Sequence, residues 1–248
     1  MKILGVIPAR YQSSRLPGKP LADICGKPMI WWVYQQAQKV TEFSDVVVAC
    51  DDEKVLDICV KYGINAVMTS TEHSTHVDRI YEVSQRFEAD LYTVVCGDEP
   101  LTKAKTIAQV LPQKDEVVDE FVVRTLIREF NDPTEALDPS NIKVVANIND
   151  ECLLLTRSLA PFPYKSLAYK FKKLVGIECY SRSALDFFVN MPKGLLEVIE
   201  DITLLRFVEN FKQVKLIMTE AHQLGVDTSK DLDRVKEIIS NNIRYRGD

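Results

Sequence analysis

Short apolar runs alternate with amphipathic stretches of helical period through the first hundred residues, and this alternation limits the possible folds more than any other property of the chain. Strands are expected at Lys2–Ile7, Asp45–Cys50, Ala66–Thr69 and Leu91–Cys96, and helices at Met29–Val40, Glu53–Tyr62, Val77–Phe87 and Lys103–Leu111. Parallel neighbours need a crossover long enough to hold a helix, so strand and helix in turn predict an α/β fold with a mostly parallel sheet flanked by helices. At 248 residues, with 46% hydrophobic side chains, the chain can bury a sizeable core as a single domain, expected to cover residues 1–248.

After about residue 115 the pattern changes. Phe121–Ile127, Ile142–Asn147, Leu153–Thr156 and Leu174–Tyr180 read as strands, broken by Pro133, Pro139, Pro161 and Pro163. The segment from about 120 to 180 is therefore expected to be a β-rich extension. Helices return at Ser183–Val189 and Leu196–Phe211, followed by a strand at Val214–Met218 and a closing helix near Lys230–Asn241.

The first apolar run leads straight into Pro8-Ala9-Arg10-Tyr11-Gln12-Ser13-Ser14-Arg15-Leu16-Pro17-Gly18-Lys19-Pro20-Leu21. Open α/β sheets bind ligands beyond the carboxyl ends of their strands, where free backbone N–H groups meet oxyanions. Arg10 and Arg15 offer planar forks, Lys19 a compact charge, Ser13 and Ser14 hydroxyls, and Gly18 lets the main chain approach closely. A preorganised loop of this kind suits a polyanion such as a nucleoside triphosphate; the alternative, a solvated basic loop with a Pro-Gly turn, is the commoner case for a generic cluster of these residue types.

Asp98 follows the run Leu91–Cys96 and Gly97, which brings its carboxylate to the same sheet edge. Asp227 stands in Gly225-Val226-Asp227-Thr228 after the late strand. Magnesium bound with a triphosphate is commonly held by one or two carboxylates. On local signal alone, Asp227 reads better as the cap of the closing helix, while for Asp98 an N-terminal helix or turn residue before Pro100 is the alternative.

The formal charge of −5 excludes a general nucleic-acid or anionic-membrane binder, and a basic loop on an acidic chain fits a small anionic ligand. Cys25, Cys50, Cys59, Cys96, Cys152 and Cys179 form no C-x-x-C pair and read as reduced thiols. With no stretch long enough for a signal peptide or a membrane span, a cytoplasmic location is expected. The first βα turn lacks the G-x-G-x-x-G of a dinucleotide enzyme, and Gly18-Lys19 is followed by Pro20, not by the Ser or Thr of a P-loop.

Throughout Pro8–Leu21 the sequence resembles the CMP-Kdo synthetase (3-deoxy-manno-octulosonate cytidylyltransferase) family, whose loop reads P-A-R-x-x-S-[ST]-R-L-P-G-K-P-L. The resemblance continues through Gly26-Lys27-Pro28-Met29-Ile30, Val46–Ala49 with Asp51-Asp52, Asp78-Arg79, Gly97-Asp98-Glu99-Pro100 and Gly225–Thr228, in the family's order. It implies a Rossmann-like, GT-A-like nucleotidyltransferase with a dimerisation extension, hence a homodimer, serving lipopolysaccharide or capsule synthesis. The implied reaction is attack by an acceptor hydroxyl on the α-phosphorus of CTP, with magnesium as cofactor, a sugar acid as acceptor and pyrophosphate leaving. The resemblance implies catalytic roles for Arg10, Arg15, Lys19 and Asp98, magnesium ligation by Asp98 and Asp227, and nucleotide contacts from Pro8, Ala9, Ser13, Ser14, Asp78, Arg79 and Gly97.

Departures from the family pattern concentrate on the implied acceptor side, assigned to Cys96, Glu99, Leu174, Glu200 and Leu204. Cys96 stands for a glutamine before Gly97, Leu174 for a histidine, and Leu204 for a second glutamine. His76 and Val77 replace a glycine and a threonine ahead of Asp78. Each lost hydrogen-bond partner costs on the order of 1 kcal/mol, so a shifted acceptor preference is expected: Kdo, a related 2-keto-3-deoxy acid or another anionic alcohol. A nucleotide-binding protein without turnover is the non-enzymatic alternative.

Overall fold

The computed structural model describes residues 1–13, 15–165, 168–221 and 224–245. Its contacts gather into two compact units, Met1–Ala108 with His222–Asp248, and Gln109–Ala221.

In the first unit the main strands are β1 (Ile3–Ala9), β4 (Asp45–Cys50), β5 (Ala66–Met68) and β6 (Leu91–Val94), with β2 (Asp23–Ile24) and β3 (Lys27–Pro28) forming a small hairpin. β1 lies between β6 and β4, and β4 pairs with β5, every pairing parallel. Pro8 is level with Ala49 and Ala9 with Cys50, so the loops after β1 and β4 leave one edge together. Helices α1 (Met29–Ala37), α2 (Glu53–Lys61) and α3 (His76–Ser84) fill the crossovers, and α4 (Ala104–Ala108) follows β6. The expected parallel α/β arrangement is present; the fourth helix is shorter than its periodicity predicts.

Side chains on β1 and β4 are buried almost without interruption, as in a parallel sheet covered on its faces. Asp52 caps α2 by accepting from the Lys54 N–H at 2.8 Å. Thr75 and Asp78 form a reciprocal capping box at the start of α3, satisfying donors that the first helical turn leaves free. The unit ends in a helix over Ser229–Tyr245. A separate apolar cluster of Ile24, Met29, Val226, Val235 and Ile239, with Leu16 and Leu224 against it, fastens the basic loop and the final segment to one nucleus.

The second unit contains β7 (Val123–Glu129), β8 (Lys143–Ala146), β9 (Cys152–Thr156), β10 (Lys172–Ser181) and β11 (Lys215–Met218). β11 runs parallel to β7, while β10 runs antiparallel to β7 and β8, and β8 to β9. The β-rich stretch expected around 120–180 falls within this unit. Its helices are α5 (Arg182–Asn190), α6 (Leu195–Glu200) and α7 (Leu205–Glu209). The single helix expected over Leu196–Phe211 is therefore two. Asp201 ends α6 in the left-handed region at φ 50°, a conformation that a continuing helix cannot contain.

Candidate active site

The basic loop is shaped by its own main chain before any ligand is considered. Gly18 adopts φ 68° and donates its N–H to the Tyr11 carbonyl at 3.0 Å, closing the loop on itself. That left-handed backbone favours glycine. Ser13 Oγ accepts from the Leu16 N–H at 3.4 Å, and Arg10 Nη2 donates to the His73 carbonyl at 2.9 Å. Pro17 is exposed and Pro20 buried, and Lys19 opens a 3₁₀ turn with Pro20 and Leu21.

The Lys19 ammonium ends between two carboxylates, 2.8 Å from Asp98 Oδ2 and 3.0 Å from Asp227 Oδ1. Arg15 Nη2 reaches the same Asp227 oxygen at 2.9 Å. Burial works against the Lys19 charge, but the charge and hydrogen bond of Asp98, and then those of Asp227, outweigh it and raise the pKa above the usual lysine value. Residues separated by 79 and 208 positions in sequence thus share one cation.

Two main-chain contacts make this convergence possible. A Cβ on Gly97 would lie 2.7 Å from the Pro8 carbonyl oxygen, so only glycine lets the Asp98 turn pass so close to the end of β1. The Val226 N–H donates to the Asp98 carbonyl at 2.9 Å and fixes Asp227 beside Asp98. The helix cap that Asp227 was a candidate for is supplied one residue later. Thr228 Oγ1 accepts from the Asp231 N–H at 3.3 Å, and Asp231 Oδ2 accepts from the Thr228 N–H at 2.8 Å. Asp227 is left to face the cations.

Among the described residues no group of three or more His, Cys, Asp or Glu side chains comes together as a metal cage. A pair of carboxylates already converging on one positive charge fits magnesium nonetheless, since that ion draws its remaining oxygens from substrate phosphates and water.

The cytidylyltransferase family model matches residues 4–220. The chain belongs to the cytidylyltransferase family. It is 36% identical over 243 residues to the 3-deoxy-manno-octulosonate cytidylyltransferase of Escherichia coli, covering 98% of each chain. Identity to the Fusobacterium nucleatum enzyme of the same name is 37% over 246 residues, again covering 98% of both. A solved structure of CMP:2-keto-3-deoxy-manno-octonic acid synthetase complexed with CTP superposes with a TM-score of 0.89 at 34% identity, covering 98% of this chain and 100% of that one.

Several residues singled out in this cytidylyltransferase sit differently from expectation. Arg79 has no exposed surface. It donates through Nη2 to Asp51 Oδ2 at 2.9 Å and through Nη1 to Thr69 Oγ1. Burial lowers its pKa, with the Asp51 charge opposing. Asp51 Oδ1 accepts from the Tyr11 N–H at 3.0 Å, so Arg79 acts on the loop through Asp51. Asp51 was not among the expected site residues; its place just after β4, at the loop edge, was the available signal. Asp78 accepts from the Thr75 N–H at 2.9 Å as part of the capping box. Arg79 and Asp78, both expected at the nucleotide, thus each hold internal partners.

Pro8 is half-buried and the Ala9 side chain is buried, which leaves only its backbone for a ligand. Ser14 lies outside the described residues. Cys96, Gly97, Asp98 and Glu99 are all partly exposed, and Glu99 Oε2 accepts from Thr102 Oγ1 at 2.9 Å. Leu174 and Glu200 belong to the second unit. Leu174 is opposite Ile127 in the ladder. Glu200 accepts from Thr156 Oγ1 at 2.6 Å and from the Arg157 N–H at 2.9 Å, contacts that lower its pKa, the first most. Leu204, expected on the acceptor side, is only 1% exposed and packs in the core. Burial raises the thiols of Cys50 to about 11 and of Cys59 and Cys152 to about 12, keeping them protonated and inert.

Proposed function

We propose that this protein transfers CMP from CTP to a hydroxyl of Kdo. Full-length likeness to a synthetase solved with CTP, at 34% identity, carries the reading, and the convergence of Arg15, Lys19, Asp98 and Asp227 supports it chemically. The acceptor hydroxyl gives up its proton to water as its oxygen bonds to the α-phosphorus, the bond from that phosphorus to the bridging oxygen breaks, and pyrophosphate leaves with the displaced electron pair.

Transfers of this kind ask a protein mainly for positioning and for charge opposite the phosphates. Arg10 and Arg15 supply forks to phosphate oxygens and Lys19 a point charge. Asp98 and Asp227 would hold magnesium, which when bound neutralises phosphate charge and favours the leaving group. Gly18 and the Arg79–Asp51–Tyr11 chain of contacts keep the loop in shape between turnovers.

A homodimer is part of the same reading. Leu195, Val198 and Ile199 on α6 are 71%, 63% and 69% exposed, and burying such a stripe against a second copy would remove apolar surface from water. Among the described residues no helix is long and apolar enough to cross a membrane.

Pyrophosphate release with CTP and magnesium tests the reading, run in parallel with Kdo, a nonulosonic acid and no acceptor. Release that depends on Kdo is expected. Release with the nonulosonic acid alone would reassign the acceptor, and magnesium-dependent CTP binding without release on either acid would leave a binding protein.

A further inference from the structure

Lys19 stands where a divalent cation has to go. Its ammonium bridges Asp98 Oδ2 and Asp227 Oδ1 at 2.8 and 3.0 Å, and Arg15 adds a second positive charge to that Asp227 oxygen at 2.9 Å. Two cations and two carboxylates make the cluster electrically neutral by itself. In the transfer reading above, on which this inference rests, the carboxylates hold a metal and both cations hold phosphate. Neither set of contacts can form while the present pairs persist.

We propose that Lys19 is a resident counter-cation that keeps divalent metal off Asp98 and Asp227 until a triphosphate draws the ammonium away, so that metal and nucleotide enter the site together. A divalent ion added to the neutral cluster leaves two excess positive charges within a few ångströms, and their repulsion at short range in a partly buried site opposes binding. A triphosphate supplies the missing negative charge and gives Lys19 and Arg15 new partners in the same event.

The local architecture suits such an exchange. The Lys19 backbone is fixed by its N–H to the Leu16 carbonyl at 3.1 Å, while its four-carbon stem lets the ammonium swing without moving the loop. The carboxylates stay in place when it leaves, because the Val226 N–H holds the Asp98 carbonyl and Val226 is buried in the apolar cluster with Ile24 and Met29. Arg15, Asp227 and Asp98 have side chains 63%, 42% and 37% exposed against 15% for Lys19, so the ammonium is the inner member and incoming phosphate approaches from the open side.

Mn²⁺ binding followed by electron paramagnetic resonance, without nucleotide, tests this on the whole protein. Lys19→Gln should bind Mn²⁺ about tenfold or more tightly than the parent chain, while Lys19→Arg, which keeps a bridging cation, should stay near the parent value. Equal affinity in the parent and Lys19→Gln overturns the proposal. The parent chain alone gives a second reading. With ¹⁵N-labelled lysine, the Lys19 ammonium resonance should move on saturation with CTP in the presence of a chelator, and a resonance that stays in place overturns the proposal even if the variants fail to fold. If the parent does not bind CTP even with magnesium present, the transfer reading falls instead, and the nucleotide-free Mn²⁺ comparison still decides the role of Lys19.

Discussion

Arg206 with Glu197 in the second unit, and Lys19 with its two aspartates in the first, use the same kinds of charged group to opposite ends. The Arg206 guanidinium forks onto Glu197, with Nη2 2.6 Å from Oε1 and Nε 2.7 Å from Oε2, and Nη1 donates to the Phe188 carbonyl at 2.9 Å. The guanidinium also lies 3.7 Å from the centre of the Phe188 ring, and the two side chains are only 6% and 4% exposed. Each carboxylate oxygen has its own donor in bidentate geometry. Around Lys19, by contrast, one ammonium serves two carboxylates and one Asp227 oxygen serves two cations, with the acids more than a third exposed. Buried pairs with matched partners hold a fold together; shared, half-exposed ones can trade partners with a ligand.

The sharpest way to break this comparison is to remove the cation from the buried pair. Arg206→Ala leaves the Glu197 carboxylate buried without a partner and should cost about 3–5 kcal/mol of stability, read as a large fall in the denaturant midpoint. A loss below about 1 kcal/mol would mean that Glu197 finds water or another donor, and the fork would not be structural. Asp98→Asn comes next. Its expected effect is on turnover, about 10²–10³-fold in pyrophosphate release, the scale seen when one preorganised electrostatic group is removed from an active site. The melting temperature should shift little, because Lys19 retains Asp227. Comparable losses of stability in the two variants would erase the distinction between the regions.

The same contrast explains what could be read from the sequence. The parallel sheet was legible because β1, β4 and β6 are apolar runs separated by helices of clear period, and the basic loop because so many phosphate-binding residue types crowd into one segment. Arg79 was not. A cation in an amphipathic helix ordinarily faces solvent, and nothing local shows that Asp51, 28 residues earlier, waits to receive it in the interior. Nor did the sequence mark the break between α6 and α7, since Asp201 turns left-handed within an apolar pattern that contains neither glycine nor proline. At Asp227 the local signal for a helix cap was real but displaced by one residue, because Thr228 can cap equally well. Helix capping is decided locally, whereas pairing with Lys19 is decided by the tertiary fold.

Glu116 lies between the two extremes and allows a finer test. Its Oε1 accepts from Arg124 Nη1 at 2.7 Å and from Lys215 Nζ at 2.8 Å, and Oε2 accepts from the Gln113 N–H at 3.0 Å. Arg124 is 8% exposed, Glu116 21% and Lys215 48%. Burial alone would raise the pKa of the carboxyl, but the hydrogen bonds from Arg124, Lys215 and Gln113 overcome it and bring the pKa to about 2 from 4.5. A pKa depressed in the folded state means that the native chain holds its proton less tightly than the unfolded one. The stabilisation is therefore complete above about pH 4.5, falls as the pH drops toward 2, and is gone below that. Glu116→Gln should lower stability by about 1–2 kcal/mol at neutral pH, after allowance for solvent screening of a pair whose lysine is half exposed. Urea midpoints of the parent and variant should then converge as the pH falls from about 4.5 to about 2. A gap that stays constant across that window would assign the effect to lost contacts rather than charge, and would place Glu116 with groups that hold the fold by shape alone.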